Sequence, residues 1–179
     1  MTCIVGIISG KKVIIGGDSA GVSNLDITIR RDPKVFRVGK FIIGCTSSFR
    51  MIQLLQFSFK PPKRKKKEVY EYMCTDFIDA VRKCFKEGGY LQKYRLGDEK
   101  GGTFLVGYKG RLFEIEDDFQ VAEPLDGFCS VGCGSDYAIG SLCTTENTKL
   151  TAEDRVLKAL EVATKRSGGV EPPYIILKY

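Results

Sequence analysis

Histidine is missing from all 179 residues. Its absence excludes every Ser–His or Cys–His nucleophile arrangement and every imidazole metal site. No Cys-x-x-Cys pair occurs either, so a zinc site would rest on cysteines and carboxylates, and Cys129 with Cys133 does not complete one. The seven cysteines are odd in number and scattered, which reads as reduced thiols in a cytoplasmic protein rather than a disulfide framework. No apolar run approaches the roughly 20 residues that cross a bilayer, and no charged leader with a cleavage site opens the chain. The expectation is a protein without metal, cofactor or membrane contact.

What is present is ordinary globular material. Hydrophobic residues make up 43% and charged residues 28%, enough for one domain with a real core over residues 1–179. The net charge of +6 permits an acidic partner without demanding one.

The first thirty-four residues carry the densest pattern. Thr2 stands directly behind Met1. Residues 4–8, Ile-Val-Gly-Ile-Ile, and residues 13–15, Val-Ile-Ile, flank the turn Ser-Gly-Lys-Lys, a β-hairpin signal. The second strand delivers Gly16, Gly17 and Asp18, and a polar loop over 20–33, with a β-branched patch at 27–29, leads to Lys34. If Met1 is removed, Thr2 holds a hydroxyl and a free α-amine, a nucleophile and a base in one residue. Asp18 and Lys34 could tune its protonation.

Further along, residues 35–38 and 41–44 read as another hairpin. A helix starting near Thr46 to Ser48 carries Phe49, Ile52, Leu55 and Phe59 at helical spacing and is stopped by Pro61 and Pro62. A second helix spans 68–86 and ends at Gly88 and Gly89, with polar loop over 90–101. Residues 103–108 and 111–115 alternate as a hairpin, and strands are expected at 119–122 and 127–131. Residues 136–143 form a helix, Thr151 and Asp154 make a capping box for another that ends at Ser167, and residues 172–179 finish as a strand. Strand blocks separated by helix pairs indicate a layered α+β domain. The run of residues 60–67, Lys-Pro-Pro-Lys-Arg-Lys-Lys-Lys, has no interleaved aromatic residue and reads as a solvated loop rather than a nucleic-acid contact.

Thr2-Cys-Ile-Val-Gly, Val13-Ile-Ile-Gly-Gly-Asp18-Ser, Lys34-Val-Phe, Ile42-Ile-Gly44, Val131-Gly-Cys-Gly134 and Ser167-Gly-Gly169, in this order, resemble the proteasome β-subunit family, including the HslV-type peptidases. The resemblance implies a four-layer αββα sandwich of the N-terminal-nucleophile hydrolase type. It implies Thr2 as nucleophile, Lys34 as the neighbouring cation, Asp18 as the acid that orients it, and the Gly44 N–H as oxyanion donor. Cys133 stands where the family has the serine of Gly-Ser-Gly, and Ser167 matches a serine near the nucleophile; Thr164 replaces an aspartate of many relatives. Val22, Ile42 and Gly44 are the implied substrate-binding positions, Ile42 shaping an apolar pocket. Polypeptide substrates, a homo-oligomeric ring and an ATP-dependent unfoldase are the implied partners. Two other readings stay open: a catalytically inactive structural subunit of the same shape, and a nucleic-acid or acidic-partner binder using residues 60–67.

Overall fold

The computed structural model describes residues 1–93 and 99–179. Two antiparallel sheets face each other. The first has the order β12-β1-β2-β13, from β1 (Ile4–Ser9), β2 (Lys12–Gly17), β12 (Phe128–Val131) and β13 (Ile175–Lys178). The second has the order β11-β10-β9-β6-β5, from β5 (Val35–Val38), β6 (Phe41–Cys45), β9 (Phe104–Tyr108), β10 (Arg111–Ile115) and β11 (Val121–Ala122). On the second sheet lie α1 (Phe49–Gln53), which runs on into a π-helical turn at Leu54–Ser58, then α2 (Val69–Tyr72) and α3 (Ile78–Glu87), joined by another at Met73–Phe77. On the first lie α4 (Ser135–Thr144) and α5 (Ala152–Arg166).

The period of two along each strand creates these layers. In β6, Ile43 and Cys45 pack with Met51, Leu55, Phe77 and Phe85 beneath the helices. Their neighbour Ile42 packs with Ile4, Ile15 and Leu105 between the sheets. On the outer face of the first sheet, Cys3, Val5 and Ile7 pack with Val156, Leu160 and Ala163 of α5. Three apolar seams thus separate four layers, helix, sheet, sheet and helix, the expected αββα arrangement. Among the described residues no helix is long and apolar enough to cross a membrane.

Several boundaries differ from the sequence expectations. Residues 20–33 contain the hairpin β3 (Ala20–Ser23) and β4 (Asp26–Ile29). Ile27 and Ile29 remain exposed, so no inward-facing stripe marks these strands. The polar loop of 90–101 holds a two-residue ladder between β7 (Gln92–Lys93) and β8 (Glu99–Lys100); residues 94–98 lie outside the described residues. The first helical stretch stops one residue before Phe59, which is extended at φ −68°, ψ 128°. Pro61 follows, and its ring disfavours the helical region for Lys60, so the helix does not run on to the proline. Phe119 turns at φ +71°, leaving only Val121 and Ala122 to pair with β10.

Candidate active site

The β1–β2 register places Ile4 opposite Gly17, so Cys3 and Asp18 meet just past the end of that ladder. The Cys3 N–H donates to Asp18 Oδ1 at 3.0 Å, and the Ala20 N–H donates to Oδ2 at 2.9 Å. Glu171 N–H adds a longer bond of 3.4 Å to Oδ2. These donors fix the carboxylate's orientation.

Lys34 reaches it from the first residue before β5. Its Nζ lies 2.9 Å from both Asp18 oxygens and 2.8 Å from Thr2 Oγ1. An ammonium has three donors, and here each has an acceptor. The Lys34 and Asp18 side chains are 2% and 0% exposed. Burial pulls the lysine below its ordinary range, and the Asp18 charge partly opposes that. A cation so placed disfavours the proton on Thr2 Oγ1 and favours the alkoxide.

Thr2 is held from the other side by the turn at 132–134. Its carbonyl accepts from the Gly134 N–H at 3.2 Å, and Gly132, at φ +103°, lets that turn close over it. A Cβ at Gly132 would lie 2.3 Å from the Thr2 oxygen. Thr2 N–H donates to Cys133 Sγ at 3.2 Å, and Cys133 Sγ is 3.2 Å from Ser167 Oγ. Met1 is in place: its carbonyl accepts from Thr2 Oγ1, and its side chain rests on Gly169, where a Cβ would lie 2.2 Å from the Met1 Cβ. Thr164 is turned away, its hydroxyl 2.8 Å from Tyr174 Oη. Cys3 is fully buried and burial pushes its thiol up to about 12, which disqualifies it as a nucleophile.

Thr2, Asp18, Lys34, Cys133 and Ser167 therefore come together, and Val22 lines the pocket of about 70 Å³ beside Thr2. Gly44 and Ile42 do not join them. β6 is paired on both edges, and the Cys45 N–H bonds to the Lys34 carbonyl on the β5 side. Strand alternation then turns the Gly44 N–H into the β9 ladder, away from Thr2. A Cβ on Gly44 would meet Ile4 Cγ2 at 2.6 Å, so its glycine serves the close approach of the two sheets. Ile42 is fully buried in the same seam.

The pocket wall is instead the segment just past β6, Thr46 to Phe49, with Ile52. Thr46 is pinned by its N–H and hydroxyl to the Thr103 carbonyl, at 3.1 and 2.9 Å. Ser47 sits at φ +60°, its Oγ accepting from the Thr103 N–H. Ser48 caps α1 by accepting from the Arg50 N–H. The hydroxyl run was legible as a helix start, but not as pocket wall. Among the described residues no cluster of three or more Cys, Asp or Glu side chains could hold a metal ion.

No protein-family model matches the chain. Its sequence is 24% identical over 166 residues to the ATP-dependent protease subunit HslV of Caldicellulosiruptor saccharolyticus, covering 90% of this chain and 89% of that protein. Among solved structures it is similar to Thiobacillus denitrificans BPH in complex with epoxomicin, with a TM-score of 0.83, 18% identity and coverage of 99% and 97%. It is also similar to eukaryotic HslV from Trypanosoma brucei, with a TM-score of 0.70, 18% identity and 98% of each chain covered. The resemblance read from the sequence thus holds in fold as well.

Proposed function

We propose that this chain, which has the HslV-type N-terminal-nucleophile hydrolase fold, is a threonine-type endopeptidase that acts through Thr2 once Met1 is removed. The observation that carries the reading is Lys34 Nζ, bonded at once to Thr2 Oγ1 and to both oxygens of Asp18. Hydrolysis of the Met1–Thr2 bond frees an α-amine with a pKa of about 8, able to accept a proton near neutral pH. Thr2 Oγ1 attacks the carbonyl carbon of a bound peptide and its proton passes to that amine. Lys34 stabilises the charge on Oγ1 as the new bond forms. The tetrahedral oxyanion is held by the backbone N–H of Ser47, on the pocket side of β6, rather than by Gly44. Collapse returns the proton to the leaving amine and leaves an ester on Thr2. Water then attacks the ester, giving its proton to the amine, and Thr2 is released. Cys133 and Ser167 hold the amine in place, the thiol more weakly than a hydroxyl would.

Val22, Phe49 and Ile52 give the pocket apolar walls, so we expect cleavage after apolar residues rather than after Lys or Glu. The domain of residues 1–179 is proposed to work in the cytoplasm as a homo-oligomeric ring on polypeptide substrates. The Caldicellulosiruptor relative's description as an ATP-dependent protease subunit supports an unfoldase partner here. A second reading, an inactive subunit of the same shape, draws on Cys133.

The test compares peptide hydrolysis by wild type and Thr2→Ala, after mass spectrometry has shown loss of Met1 from the wild type. Turnover is expected only in the wild type, with partial activity in Thr2→Ser. Equal rates would remove Thr2 as nucleophile; a correctly shortened but inert wild type would select the inactive subunit.

A further inference from the structure

The basic run of residues 60–67 is tied down at several points. Tyr72 Oη donates to the Pro62 carbonyl at 2.8 Å, and Arg64 Nη1 donates to the Lys67 carbonyl. Lys67 is committed to Asp76 at 2.8 Å and to Thr75 at 3.1 Å. This loop lies beside two hairpin turns, Gly39 with Lys40 between β5 and β6, and Lys109 with Gly110 between β9 and β10. Gly39 and Lys109 take φ values of +56° and +51°, as tight hairpin turns require. Between loop and turns is a pocket of about 500 Å³, within the size range of small-molecule sites. Its floor is apolar: Phe41 and Tyr108, stacked at 4.2 Å, with Pro61 and Pro62. Its charged lining is Lys40, Lys63, Arg64 and Lys109, with no carboxylate among them.

Two observations set this apart from a scatter of surface lysines. Among the described residues, none of these four cations has a carboxylate partner. In addition, Arg64 Nε is buried with no hydrogen-bond partner, an orphaned donor of a kind that folded proteins seldom keep.

We infer that this pocket binds a compact oligophosphate, either a free phosphate chain or the triphosphate end of a larger molecule. Four cations around one small cavity call for several negative charges within a few ångströms. A short phosphate chain supplies them, each phosphate also presenting strong acceptor oxygens for Arg64 and the ammonium groups. An acidic peptide spreads its carboxylates about 3.3 Å per residue along an extended chain. A single-stranded nucleic acid would want an open aromatic face, whereas Phe41 and Tyr108 are only 5% and 6% exposed. A cleft lined by one sign of charge also concentrates small anions. The site shares no lining residue with the Thr2 pocket, so it stands independently of the catalytic reading.

Titration calorimetry of the intact chain with inorganic triphosphate, at low and moderate salt, tests this. One site per chain with micromolar affinity that weakens with salt is expected. The triple variant Lys40→Gln, Lys63→Gln, Lys109→Gln replaces exposed side chains and should bind at least about tenfold more weakly. A control triple, Lys86→Gln, Lys149→Gln, Lys165→Gln, removes equal charge elsewhere and should change affinity less than about twofold. Arg64→Lys keeps the charge but loses the planar guanidinium fork that can pair two phosphate oxygens, and should weaken binding several-fold. Absence of saturable binding, or equal loss in both triples, overturns the proposal. Tighter binding of hexaglutamate or of an oligonucleotide than of triphosphate also overturns it, in favour of a protein or nucleic-acid partner.

Discussion

At the scale of single residues, the Lys34–Asp18 pair is costly to bury, because both side chains are almost wholly withdrawn from water. Lys34→Ala leaves a buried, unpaired carboxylate and should cost about 3–5 kcal/mol in urea unfolding. The double variant Asp18→Asn, Lys34→Met should regain most of that stability while remaining inactive, which separates the pair's structural load from its chemistry. Gly44→Ala and Ser47→Pro form a second contrast. The first pushes a Cβ against Ile4 and Ile15 and should cost about 1–3 kcal/mol, with turnover per folded molecule kept. The second deletes the Ser47 N–H and cannot adopt φ +60°, so turnover should be lost even where the protein still folds. Measured kcat well below each variant's melting range checks both. The sequence made Thr2 and Asp18 legible together because one hairpin register sets their approach. Gly44 and Ile42 lie outside the Thr2 pocket because strand phase and the end of β6 decide which way each faces, and neither is written in local composition. The pocket wall begins only after the last paired residue, Cys45.

Among elements, the helices and long hairpins followed their periodicities closely, while β3 and β4 escaped notice for lack of a buried face. α1 depends on its cap: Ser48→Ala should lower stability by about 0.5–2 kcal/mol, read as a fall in melting temperature. β10 carries a titrating group, Glu114. Burial first, then its hydrogen bond to Glu116 and that residue's charge, raise its pKa from 4.5 to about 7. Between those values the folded chain keeps a proton that the unfolded chain has released. Stability from this group therefore falls as pH rises from about 4.5 to about 7 and is level above that. Glu114→Gln should flatten the change in urea midpoint between pH 5 and pH 7.5; an unchanged slope would assign it to another group.

For the whole molecule, alternating strand blocks and helix pairs were enough to indicate layers. They could not indicate that β12 lies beside β1, or β6 beside β9, because periodicity says which face is buried and nothing about the neighbour. The proposed ring makes a prediction at this scale. Sedimentation at micromolar concentration is expected to show at least six chains together, and a monomer alone would dismiss the ring. The contact between Met1 and Gly169 has a different kind of consequence. Any side chain at position 169 would compete with Met1 for the same few cubic ångströms. If Met1 is removed as proposed, the three atoms nearest that position leave with it, so this part of the demand for glycine would carry an expiry date. Gly169→Ala should therefore lower the melting temperature of the chain that keeps Met1 more than that of a chain made to begin at Thr2, and an equal loss in both would place the crowding elsewhere.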